Sequence, residues 1–204
     1  ASPFAPPRKD IIISDPRHGT VCGPDKFVLD LILTPSTSLC KLGAWGVVAG
    51  DKMQSETNLS GPPPVHWLGS EIIISCLGDA QGEAPGGYLH LNKEFEIVGR
   101  WENSMGDIPF SYDFWYQPRH NVMVSSEWAA PNTFMPGFDL EEVGHLKYGR
   151  RLHIWDFEKK KPIETMYLGE DGLIPLEVKF MHDPNSSHGF CGAALSANVI
   201  HFWK

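Results

Sequence analysis

Nine histidines and four cysteines are the residues of this 204-residue chain best suited to metal or thiol chemistry. Imidazole nitrogen suits copper, and thiolate suits Cu(I), so position decides which side chains could share an ion. Three histidines stand at joints between β-rich runs. His66 precedes the run Glu71–Leu77, His120 lies in the turn Gln117-Pro-Arg-His-Asn121, and His182 stands just before Asp183-Pro184. These are the metal candidates; the plainer alternative for each is a hydrogen-bonded turn histidine. A site built of imidazoles needs acceptors behind it to fix each tautomer, and Asp113, Glu127 and Glu177 are available. His90, His153 and His201 occupy equivalent places in successive repeats, which keeps them apart, and they read as structural or surface residues.

Cys76 and Cys191 sit inside apolar runs, where a buried free thiol is the ordinary role. No CxxC pair exists and no signal peptide begins the chain, so Cys22, Cys40, Cys76 and Cys191 are expected to be reduced thiols of a cytosolic protein. Asp156, in Ile-Trp-Asp-Phe, reads as a residue that satisfies turn backbone groups. Trp115, Trp128 and Trp155 read as packing residues. GxSxG, P-loop and HExxH motifs are all absent from the sequence, which leaves serine hydrolase, phosphate-loop and zincin chemistry without support.

The elements that must position these groups are short strands. From Glu71 onward, β-rich runs alternate with turn signals. The runs are Glu71–Leu77, Gly87–Leu91, Phe95–Trp101, Tyr112–Tyr116, Val122–Ser126, Arg151–Phe157, Glu164–Leu168, Leu176–Phe180, Phe190–Leu195 and Val199–Trp203. Tyr88-Leu-His-Leu91, Arg151-Leu-His-Ile-Trp-Asp156 and Val199-Ile-His-Phe-Trp203 share one pattern, and hairpins precede the latter two. Four antiparallel strands recurring about every 50–60 residues is the pattern of β-propeller blades. The expected fold class is therefore all-β: a partial β-propeller of about two to three four-stranded blades. The first blade is expected to consist of end strands only. Turns between the two inner strands of a blade lie at one face, near the central channel, which favours His120 and His182. Only Asp139–Tyr148 has a helix-like start, with Asp139 able to cap. Residues 1–64, rich in Pro, Gly, Ser and Thr, yield no coherent set of elements and form an unplaced segment ahead of a 65–204 propeller region.

A net charge of −8 and the lack of a basic stripe argue against a nucleic-acid partner. Lys159-Lys-Lys161 reads as a solvated hairpin turn. No apolar run approaches the roughly 20 residues needed to span a bilayer. The start at Ala1 and the end within the apolar run Val199–Lys204 lead to the expectation of a truncated chain.

Several long motifs occur in fixed order: Ile74-Ser-Cys-Leu-Gly-Asp79 with Gly86-Gly87, Ser111–Asn132, Tyr148–Asp156 and Asp171–Pro184. Together they closely resemble the selenium-binding protein family, whose animal members act as methanethiol oxidases. The likeness runs from about Val65 to Lys204. It implies a seven-bladed parent more than twice this length, dependent on copper, that converts methanethiol, oxygen and water to formaldehyde, hydrogen sulfide and hydrogen peroxide. It also implies links to selenium, through a cysteine near the N-terminus, and to intra-Golgi protein transport, with nuclear or peripheral-membrane locations beside the cytosol. His66 matches a histidine of a His-rich stretch of the family, with one residue fewer beside it. The family's His-His-x-Gly-Trp-Asn motif, its CSSC run, its selenium-associated cysteine and its C-terminal half have no counterpart here. The competing reading is a non-catalytic interaction module that self-associates through exposed sheet edges.

Overall fold

A computed structural model describes residues 10–14, 26–30, 46–62 and 64–204. The apolar runs near Ile11 and Phe27, which suggested no arrangement in sequence, form strands β1 (Asp10–Ser14) and β2 (Lys26–Asp30). β1 lies between β2, parallel to it, and β3 (Gly46–Ala49), antiparallel. Helix α1 (Gly50–Thr57) follows directly, and its Met53 is buried. With one apolar residue in its two turns, α1 has no periodicity to announce it. Cys22 and Cys40 lie outside the described residues.

The remainder is three antiparallel sheets. The first is β4 (Val65–Leu68), β5 (Glu71–Cys76), β6 (Gly87–Asn92) and β7 (Ile97–Arg100), paired in that order. The second is β8 (Phe114–Gln117), β9 (Val122–Ser126), β10 (Arg151–Asp156) and β11 (Lys161–Tyr167), again in chain order. Between β9 and β10 lie two short helices, α2 (Pro131–Phe134) and α3 (Leu140–Gly144). Asp139 caps α3 as its sequence suggested, accepting a hydrogen bond from the Glu141 amide at 2.9 Å. The third sheet is β12 (Pro175–Phe180), β13 (His188–Ala193) and β14 (Asn198–Trp203). This is the expected partial propeller, with one refinement. The first blade is complete, because Val65–Leu68 pairs with β5 as its innermost strand. Among the described residues no helix is long and apolar enough to cross a membrane.

Side-chain alternation explains how the sheets stack. Successive residues of a strand point to opposite faces, so a strand buried on both sides reads as a continuous apolar run. Ile72 and Ile74 face one cluster with Val48, Met53, Leu89 and Leu91. Ile73, between them, faces the other way, joining Tyr88, Trp101, Phe114, Met123 and Trp155 between the first and second sheets. The second sheet repeats the device, turning Met123 and Trp155 toward the first sheet and Val124 and Leu152 toward Val178 and Cys191 of the third. Full burial of each such side chain contributes about 1.5–3 kcal/mol. Aromatic edges meet faces inside the first interface: Tyr88 lies 5.3 Å from Phe114 and 5.4 Å from Trp155, both nearly perpendicular.

Candidate functional site

The first strands of the three sheets converge, and their polar residues meet at Asp113, just ahead of β8. Its Oδ2 accepts the Val178 amide of β12 at 2.8 Å, and Lys179 Nζ lies 3.3 Å from the same oxygen. On the other side, His66 Nε2 of β4 lies 3.6 Å from Asp113 Oδ1. Three blades thus contribute to one row. Burial would raise the Asp113 carboxyl, but the His66 imidazole, the Val178 amide and the Lys179 ammonium outweigh it and hold its pKa below the ordinary value. Lys179 also sits 4.4 Å from the centre of the Trp115 ring, a cation–π contact.

His66 therefore lies on an innermost strand rather than in a joint. It is packed against the rings of Phe114 at 4.3 Å and Trp115 at 4.8 Å. Its Nε2 faces the carboxylate. Of the acceptors considered in sequence, Asp113 is the one beside a candidate histidine.

His120 ends the 3₁₀ turn Pro118–His120 between β8 and β9. Its Nε2 is buried and has no hydrogen-bond partner. The residue lines a cleft of about 420 Å³ between the second and third sheets, whose walls include Val124, Ile154, Met166, Phe180 and Phe202. Asp156, also on the cleft, ties the turns together as its position in the strand suggested. Its Oδ1 accepts from the Lys159 amide at 2.9 Å and from Asn121 Nδ2 at 3.0 Å, while Lys159 Nζ lies 2.9 Å from Oδ2. The Lys159 ammonium and amide, with Asn121, bring the Asp156 pKa down to about 2. His182 is exposed in the turn between β12 and β13.

The three candidate histidines do not form a shared metal centre in this structure. Among the described residues no group of three or more His, Cys, Asp or Glu is arranged to hold a metal ion. His66 faces Asp113 rather than either of the other two.

A second polar cluster has a bracing role. Glu127, fully buried, accepts from Arg151 Nε at 3.0 Å and from the Arg150 amide at 3.3 Å, and it pairs with His153 Nε2 at 2.9 Å. His153 Nδ1 reaches Thr165 Oγ1 of β11 at 2.9 Å. His153 is thus a structural residue, consistent with its place in the repeat. His90 faces Glu71 at 3.6 Å. The thiols of Cys76 and Cys191 are buried, and burial pushes the pKa of each up to about 12, which makes them inert.

Comparison with known proteins adds the relationship. The sequence model of the 56 kDa selenium binding protein family matches residues 34–204 and so takes in part of the segment ahead of Val65, where the motifs carried no likeness. The chain is 42% identical over 189 residues to a methanethiol oxidase of Rattus norvegicus, covering 88% of this chain and 40% of that protein. It is 50% identical over 148 residues to a methanethiol oxidase of Danio rerio, covering 72% and 32%. Selenium-binding protein 2 of Mus musculus is 46% identical over 160 residues, covering 78% and 34%. Among solved structures, a hypothetical selenium-binding protein from Sulfolobus tokodaii matches with a TM-score of 0.69 at 40% identity, over 72% of this chain and 32% of that one. The chain spans well under half the length of these relatives.

Proposed function

The chain belongs to the 56 kDa selenium binding protein family, and on that premise we propose that it serves the oxidation of methanethiol by oxygen and water to formaldehyde, hydrogen sulfide and hydrogen peroxide. The observation that carries the reading is the apolar cleft between the second and third sheets, lined in part by His120. A small apolar thiol is suited to such walls. The cytosol is the proposed setting.

Copper, expected from the family resemblance, is not accommodated by His66, His120 and His182 as a set, since among the described residues no three ligands converge. No step is derived through the metal. The contribution proposed for this chain is the thiol cleft and one oriented imidazole, His66, whose Nε2 is held by Asp113. Selenium is not assigned to Cys76 or Cys191, because both thiols are buried and protonated.

The test is oxidation of methanethiol by the purified chain, followed by hydrogen sulfide and hydrogen peroxide release. Turnover that falls at least tenfold in His120→Gln supports the reading. Turnover indifferent to His120→Gln and His66→Gln, or none at all with copper supplied, refutes it. A second reading is self-association. It is favoured by β14, an edge strand on which Val199 is 72% and Trp203 68% exposed. Sedimentation that depends on concentration would support it, and a strict monomer would end it.

A further inference from the structure

The packed interface between the first and second sheets holds a small group of buried hydroxyls that the methanethiol reading does not use. Tyr88 of β6 is fully buried, and its ring meets Phe114 and Trp155 nearly perpendicularly, at 5.3 and 5.4 Å. These two contacts fix the direction of the phenol. Ser125 of β9 stands opposite Phe114 in the register and accepts from Trp155 Nε1 at 2.9 Å. Its own hydroxyl proton is left to donate. Ser111, just ahead of β8, is 1% exposed. Burial raises the Tyr88 pKa, and the Ser125 and Ser111 hydroxyls both pull it back, so the three oxygens are neighbours. They do not satisfy one another. Among the described residues, neither Tyr88 Oη nor Ser111 Oγ has a hydrogen-bond partner.

We propose that Tyr88, Ser111 and Ser125 bind one internal water between the first and second sheets. Buried hydroxyls without a partner are rare in folded proteins, because each has given up its bonds to solvent. An internal water typically makes about three hydrogen bonds to such groups, and three oxygens meet here. Donors and acceptors balance: Tyr88 and Ser125 donate to the water, and the water donates to Ser111. A direct bond would require Tyr88 to leave the Phe114 and Trp155 rings, or Ser125 to release the Trp155 indole. Tyr88 comes from the first sheet and both serines from the second, so the site is closed by two blades packed on each other. The water is thus a polar tie between them, set within otherwise apolar packing.

The test is a high-resolution crystal structure of the chain, paired in solution with oxygen-17 relaxation dispersion, which counts waters held longer than the protein tumbles. The expected result is an ordered water about 2.5–3.0 Å from Tyr88 Oη, Ser111 Oγ and Ser125 Oγ. The double substitution Tyr88→Phe with Ser111→Ala removes two of the three partners and lowers the dispersion by one long-lived water. Ser111→Val, which fills the space with methyl groups, removes the same water. Tyr116→Phe leaves the count unchanged, since that hydroxyl already bonds the Trp67 carbonyl. A direct hydrogen bond from Tyr88 to Ser111 or Ser125 with no water between them overturns the proposal. So does a water count unchanged in both the double variant and Ser111→Val. His66 and His120 take no part in this site, so failure of the methanethiol reading leaves it standing, and the reverse also holds.

Discussion

Replacing Asp113 by alanine should cost far more than its small side chain suggests. The carboxylate accepts the buried Val178 amide at 2.8 Å, a hydrogen bond to a charged group, which contributes about 1.5–3 kcal/mol. The Lys179 contact is half exposed and adds about 0–1 kcal/mol. Asp113→Ala should thus lose about 3 kcal/mol, or roughly 6–12 °C in Tm for a chain of this size. Asparagine keeps an acceptor for Val178 and should lose about half as much. Asp113 has its pKa lowered on folding, so its stabilisation is present above the unfolded value of 3.8 and disappears as pH falls through the lower folded value. Urea unfolding followed by tryptophan fluorescence, at neutral pH and across the acid range, measures all of this. If Asp113→Ala and Asp113→Asn lose equal amounts, each under about 0.5 kcal/mol, the proposed link between blades is wrong.

Three other outcomes are expected. Glu127→Ala leaves His153, Arg151 and the Arg150 amide without their acceptor, and it should lower stability by about 3–5 kcal/mol in the same urea assay, with Glu127→Gln milder. Gly149→Ala would put a Cβ 2.1 Å from that of Glu127 and 2.8 Å from its backbone, so thermal melting should fall by several degrees, at a cost of about 1–3 kcal/mol. Cys76 and Cys191 should resist thiol reagents in the native state and label fully in denaturant, as peptide mass mapping will read.

Much of the blade order was legible because each strand had its own period and punctuation. Val122–Ser126 matches its run residue for residue, and Pro118 and Asp139 act where their backbone preferences put them. The misses have local causes. β4 is four residues long, caught between Pro64 and Gly69, too short for alternation to register. β11 begins at Lys161, where a charged run masks the strand. The site was less legible than the fold. Asp113 and Val178 are 65 residues apart, and they meet only because two blades superpose.

The row through Asp113 changes how this protein should respond to damage. In a repeat architecture each unit normally senses its immediate neighbours, and perturbations fade along the array. Here one carboxylate touches His66 of the first blade and Val178 of the third, so the outer blades are coupled directly across the middle one. Double-substitution cycles between the first and third blades should therefore be non-additive where a simple stack of units would be additive. The three sheets should accordingly unfold in one transition.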